Sequence, residues 1–177
     1  MPESIFSQQA ENGIPWTARL SWQAANQAIA YHLQRYLTDL KQLYVQAQAL
    51  KSCLNAVFPI LNNLCAYSCP WCPDPCCLKA NVGYDFKDLL FLHLNKVSIP
   101  PRQPKANSAT SCCYFGFKGC RLSRITRPWI CTWYICPTQT AKLRMDHPAK
   151  HELLNQAFAQ IKSDRNVMEN EYIRIVS

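Results

Sequence analysis

Residues 65–77 read CAYSCPWCPDPCC, and no other stretch limits the fold of this chain so tightly. Five of these thirteen residues are cysteines and three, Pro70, Pro73 and Pro75, are prolines. Proline fixes φ and has no N–H to donate, and it pushes the residue before it out of the α region. The stretch predicts a stiff loop presenting sulfur, neither a continuing helix nor a central strand. At 177 residues the chain can bury a core without covalent staples, so its eleven cysteines need another explanation. The N-terminal MPESIFSQQAENG has no basic region and no apolar run, so no secretory signal is expected. No run of about 18 apolar residues occurs, so no membrane span is expected either. An odd cysteine count without an export signal points to a reducing, cytoplasmic setting rather than a disulfide scaffold. The sulfurs are then thiolates for a metal or a metal–sulfur cluster.

The formal charge of +8 raises the question of nucleic acid. The charges are spread along the chain with no run of five alike, so the clustered basic patch that such a partner needs is missing. Metal-bound cysteines are thiolates, which the count takes as neutral. Part of the basic balance reads as a counterweight to them.

Residues 1–16 read as loosely ordered. From Thr17, a candidate N-cap, to Val57 there is neither glycine nor proline. Leu33, Leu37, Leu40, Tyr44, Ala47, Leu50, Leu54, Val57, Leu61 and Leu64 recur at steps of three and four, one face of a helix. About 40 helical residues would span about 60 Å. Such a helix either projects, offering a seam for self-association or a protein partner, or breaks near residues 50–52 and folds back. Pro59 should kink or end it. Residues 85–95 (DFKDLLFLHLN) predict a short apolar helix capped by Asp85. Residues 98–111, rich in proline, serine and asparagine, predict a mobile surface loop. Residues 112–136 predict short strands or turns. Asp146 as cap and Pro148 in the first turn predict a C-terminal helix with Leu153, Leu154, Ala157, Phe158 and Ile161 on its apolar face. The fold class expected is mainly α: a long N-terminal helix and a C-terminal helix around an irregular, metal-organised cysteine centre with few short strands. The divisions are 1–62 (extension and long helix), 63–145 (cysteine cluster) and 146–177 (C-terminal helix).

Cys69 and Cys72 form a CxxC pair, a spacing that lets one turn aim two sulfurs at one ion. A redox pair would instead be expected to open a helix in a βαβ unit. Cys76 and Cys77 are adjacent, and in extended backbone they would face opposite sides, one toward the Cys69/Cys72 site and one toward a second metal or the core. Cys112, Cys113, Cys120, Cys131 and Cys136 supply the second sulfur segment, and the chain must return to close a shared site.

The order CxxC-x3-CC, then Cys113-YFGFKG-Cys120, then Arg127-Pro128-Trp129-Ile130-Cys131 resembles the YkgJ-like cysteine-cluster family, described as zinc- or iron-chelating. The resemblance covers about residues 65–137 and implies Cys69, Cys72, Cys76, Cys77, Cys113, Cys120 and Cys131 as the metal set. It leaves out Cys65, Cys112 and Cys136, which are further candidates, and Cys53. Here the CC pair follows three residues rather than two, and Thr132 stands where the family has arginine. Some larger relatives resemble flagellin lysine methylases, but this chain is much shorter. Cys65-AYS-Cys69-PW-Cys72 also resembles the radical S-adenosylmethionine signature, which holds a [4Fe–4S] cluster. Too little chain follows for that barrel, yet the spacing favours an iron–sulfur cluster over Zn2+.

His147 and His151 are one turn apart and read first as exposed; His93 reads as a packed core residue and His32 as surface. Asp85 and Asp88 read as cap and first-turn charges. Arg121, Arg124 and Arg127 either offset thiolate charge or form a solvated face. Trp129, Trp133 and Tyr134 read as shielding the site from water. No Ser/His/Asp set, phosphate loop or carboxylate pair appears. The function expected is intracellular metal binding, as an iron–sulfur cluster or Zn2+, through cysteines of both segments. The alternatives are a cluster-dependent redox or modifying enzyme, methylase-like or radical-type, and a zinc-structured protein-interaction module.

Overall fold

The computed structural model describes residues 14–107, 109–117 and 119–177, and it divides the run after Thr17 into two helices. Helix α1 spans Arg19–Arg35 and α2 spans Lys41–Ser68. The break is a turn at residues 36–40, not at 50–52, and the N-cap is Ala18 rather than Thr17. Thr38 and Asp39 are weak helix formers, and the N–H groups of Asp39 and Leu40 both turn back to the Tyr36 carbonyl at 3.0 Å. Eight of the ten stripe positions are buried and Tyr44 is half-buried; Leu37, inside the turn where the helical period lapses, is 57 % exposed. The stripe is covered by the chain itself, because α2 packs chiefly along the C-terminal helix. Pro59 does not end α2. It and Asn55, whose carbonyl loses its N–H partner, both lie on the exposed side of the helix, where a missing bond costs least.

Three further short helices follow: α3 (Cys76–Lys79), α4 (Phe86–Leu94) and α5 (Ile130–Trp133). Helix α4 begins as the sequence implies. The Asp85 carboxylate accepts the Asp88 N–H at 2.7 Å, and the Asp88 carboxylate accepts the Asp85 N–H at 3.1 Å. Asp88, Leu89, Leu90, Phe91, Leu92 and Leu94 are all buried, as expected of a helix apolar on nearly every side. It lies against α1, α2 and the C-terminal helix.

Helix α6 (Pro137–Asp146), which the sequence reading did not anticipate, leads into α7 (Pro148–Val176). Pro148 opens α7 as expected, but His147 rather than Asp146 is its N-cap, and the helix runs unbroken past Asn166. Its buried face is Leu154, Ile161, Arg165, Met168 and Tyr172, while Leu153 is exposed. His32, expected at the surface, is buried against that face, with Nδ1 3.0 Å from the Tyr172 hydroxyl.

Residues 98–111 are not a loose surface loop. Gln103 and Lys105 are buried, and Gln103 joins three strands of chain. Its Oε1 accepts the Tyr84 N–H at 2.8 Å, and its Nε2 donates to the carbonyls of Pro15 at 2.7 Å and Tyr84 at 3.0 Å. The chains meet so closely that a Cβ on Gly83 would lie 2.7 Å from Ile14. Strands β1 (Phe115–Gly116) and β2 (Gly119–Cys120) form one small antiparallel hairpin, in keeping with the short strands expected, with Gly119 at φ +96°. The molecule is mainly helical, and its hydrophobic core draws on every helix from α1 to α7 except the short α3 and α5. That core contains no cysteine among the described residues. No described helix is long and apolar enough to cross a membrane.

Candidate functional site

The sulfur stretch is less of a loop than its prolines imply. Cys65–Ser68 is the last turn of α2, and the Cys69 N–H still bonds the Cys65 carbonyl. Cys65 and Cys69 therefore lie one helical turn apart, close enough for each to act on the other's ionisation. A 3-10 turn, Cys69–Trp71, carries the chain to Cys72, which is exposed. Pro75 then caps α3, whose first two residues are Cys76 and Cys77. A helical start does not send neighbours to opposite faces as the extended geometry expected would, and the two thiols act on each other's ionisation.

Two loops close on this stretch. The Cys112 N–H donates to the Cys77 carbonyl at 3.3 Å, and the Cys113 N–H to the Pro104 carbonyl at 2.8 Å. Lys105 Nζ donates to the Ala80 carbonyl at 2.9 Å and the Leu78 carbonyl at 3.4 Å, holding the end of α3. The thiols fall into two neighbourhoods. Cys77 feels the charge of Cys131 and Cys112, and both of these feel that of Cys120, so charge couples the two sulfur segments. Cys65 and Cys69 form the other, with Cys76 within range of both. The Cys113 thiol donates instead to the Gln103 carbonyl at 3.6 Å. Cys136 is the N-cap of α6 and Cys53 is exposed on α2.

Charge separates the two groups. The neighbouring Cys69 thiol pulls Cys65 down to about 5, with the Arg124 guanidinium helping and burial opposing. Cys69 is pushed up by Cys65 and by burial. Cys77 likewise pulls Cys76 down to about 6 and is itself pushed up by Cys76 and by burial. Cys131 is pushed up by burial, with Cys120 and Cys112 adding to it. Of the three arginines considered for charge balance, Arg124 places Nη2 3.2 Å from the Cys65 sulfur, while Arg121 and Arg127 bond the carbonyls of Cys113 and Leu122. Gln139, which no sequence signal marked, is buried with its Nε2 3.7 Å from the Cys69 sulfur and 3.9 Å from that of Cys65.

Asp88 ties the second segment to the core. Beyond its capping role it accepts the Trp129 N–H at 3.0 Å and meets Arg165 of α7 at 2.8 Å, both side chains buried. Arg165 also grips both oxygens of Asp85. Burial pushes the Asp88 carboxyl up to about 7, against the pull of Arg165. Trp129 packs edge-on against Phe158, whereas Trp133 and Tyr134 are 42 % and 44 % exposed and shield little. A cavity beside this ion pair, bounded by Phe58, Asp88, Arg124, Trp129 and Arg165, measures about 20 Å3, room for about one water. His147 is exposed, and His151 is engaged by Arg144 at 3.3 Å.

Among the described residues, no three Cys, His, Asp or Glu side chains already converge as the ligands of one ion. The donor chemistry fits a thiophilic metal, since thiols of both segments act on one another's charge, but the sulfurs are not a formed cage. The chain matches no family model, no curated protein and no solved structure.

Proposed function

We propose that this chain binds a metal through thiolates of both sulfur segments, with Cys77, Cys112, Cys120 and Cys131 as the central set. The observation that carries the reading is the Cys112 N–H to Cys77 carbonyl bond, which holds the two segments together where Cys77 feels the charge of Cys112 and Cys131. Four thiolates suit Zn2+ or an iron–sulfur cluster. The resemblance to the YkgJ-like family supports the same pairing of segments through Cys77, Cys120 and Cys131, and adds Cys69, Cys72, Cys76 and Cys113. Because the sulfurs do not form a cage, loading and closure are one event, and metal affinity is tied to the order of these two loops.

A second reading, in which the metal is structural and the loops meet a protein, is favoured by Trp71 and Phe117. These side chains are 83 % and 99 % exposed beside the two sulfur segments. Anaerobic purification followed by iron, acid-labile sulfide and zinc analysis tests the main proposal. One metal group per chain is expected, lost in Cys120→Ser and in Cys131→Ser. Full metal content in both variants would overturn the assignment of the central set.

A further inference from the structure

We infer that Lys105 is a positioning residue of the metal site: it fixes the end of α3, and with it Cys76 and Cys77, against the second sulfur segment. The inference rests on the reading of the two sulfur segments as halves of one site. Helix α3 is a single turn of four residues, too short to persist by its own hydrogen bonds. It buries none of those residues, so the hydrocarbon core does not hold it either. A group outside the helix must keep the two cysteines at its start in place. The last carbonyls of a helix have no partner within it. Lys105 supplies one here, as its Nζ donates to the carbonyls of Ala80 at 2.9 Å and Leu78 at 3.4 Å.

The origin of Lys105 makes this more than a helix cap. It is 1 % exposed, a rare placement for a lysine, and its two preceding residues are anchored as well. The Gln103 side chain ties the strap at residues 103–105 to Tyr84 and Pro15. The Pro104 carbonyl accepts the Cys113 N–H at 2.8 Å, and the Gln103 carbonyl accepts the Cys113 thiol at 3.6 Å. The strap thus grips the first sulfur segment through the Lys105 side chain and the second through two backbone carbonyls. The direct bond between the segments, from the Cys112 N–H to the Cys77 carbonyl, is longer at 3.3 Å. Residues 103–105 therefore set the registry at which that bond closes. Leu78 is exposed and Ala80 half-buried, so loosening α3 uncovers little apolar surface and costs the whole fold little. The loss of Lys105 Nζ then falls on the placement of Cys76 and Cys77 and not on global stability.

The test compares the full-length, reduced protein with Lys105→Met, which keeps the reach of the side chain and removes the donor. Co2+ is the probe, because its thiolate charge-transfer absorption reports coordination by sulfur. The wild type is expected to bind Co2+ through thiolates. Lys105→Met should bind it about 10- to 100-fold more weakly, the usual range for groups that hold a metal ligand in place. The urea midpoint of the metal-free variant should be no lower than that of the wild type. In the metal-free form the amides of Leu78 and Ala80, bonded to the carbonyls of Pro75 at 3.0 Å and Cys76 at 2.7 Å, should exchange faster in Lys105→Met. Wild-type Co2+ affinity in the variant would overturn the inference. So would a lowered urea midpoint, which would make Lys105 a support of the whole fold. A wild type without cobalt–thiolate absorption would sink the metal reading instead. The exchange comparison needs no metal and would still decide whether Lys105 positions α3, with unchanged exchange at Leu78 and Ala80 counting against it.

Discussion

Arg165 joins the C-terminal helix to the head of α4. It is buried in α7, faces Asp88 and Asp85, and stacks its guanidinium 5.5 Å from the Trp129 ring centroid. Removing one partner of a buried pair leaves the other uncompensated, at a cost of about 3–5 kcal/mol. Arg165→Met should therefore lower the urea midpoint by that equivalent while leaving the slope unchanged. A second prediction concerns acid. His93 is half-buried with Nε2 3.0 Å from Asn26 Oδ1, and burial lowers its pKa to about 4. His32 shifts the same way, through burial and then Arg35. An unfolded histidine titrates near about 6.5, so the unfolded chain takes the proton first. Stability from His93 is complete above about 6.5 and is lost as pH falls toward about 4, with a slope of at most about 1.4 kcal/mol per pH unit for one proton. The Asp88 carboxyl, raised to about 7, acts in the opposite sense over the same window, so the check is the stability difference between wild type and His93→Gln. In urea melts of the reduced, metal-free protein that difference should shrink as pH falls from about 7 to about 5. His93 was readable as a packed residue from its apolar helix. His32 was not, because its partner Tyr172 lies 140 residues away and the Gln-rich neighbours of His32 suggest water.

At the scale of elements, local rules read well where the signal was local. The α4 cap followed from Asp85 and Asp88, and the buried face of α2 followed from its period. The break between α1 and α2 carried no glycine or proline to announce it, and it is fixed by packing of Leu33 and Leu40 on either side. Residues 98–111 misled most. Their composition is that of a loop, but one glutamine turns them into a clasp by meeting backbone groups of Tyr84 and Pro15. Gln103→Ala would leave the buried Tyr84 N–H without its partner, at about 1–3 kcal/mol, and lose two further bonds of about 1 kcal/mol each. A drop of about 3–5 kcal/mol is expected, together with faster proteolysis within residues 98–111. Protease resistance equal to the wild type would show that the clasp is not what orders this segment.

Across the whole molecule, the hydrocarbon core and the sulfur chemistry are spatially distinct. Helix α4 sits among α1, α2 and α7, while every cysteine is half-buried or exposed. The mainly helical class was legible from periodicity. The sulfur neighbourhoods were legible only as two segments, because which thiols face each other depends on Lys105, Gln103 and Arg124, none of which carries a metal-binding signature. If the proposed metal is bound, stripping it with a chelator should leave the far-ultraviolet circular dichroism nearly unchanged, because the core holds no cysteine. Amide exchange should instead accelerate at residues 69–80 and 112–121; a general loss of helix would place the metal inside the fold's own nucleus. The Arg165 ion pairs also impose an order in time. Asp85 and Arg165 are 80 residues apart in sequence. At a synthesis rate of about 5–20 residues per second, the carboxylates at the head of α4 leave the ribosome about 4–16 s before their counter-ion. Until then they must stay in water, and the nascent chain cannot seal α4 into its final surroundings. The seating of Arg165 is accordingly a late step in building this protein.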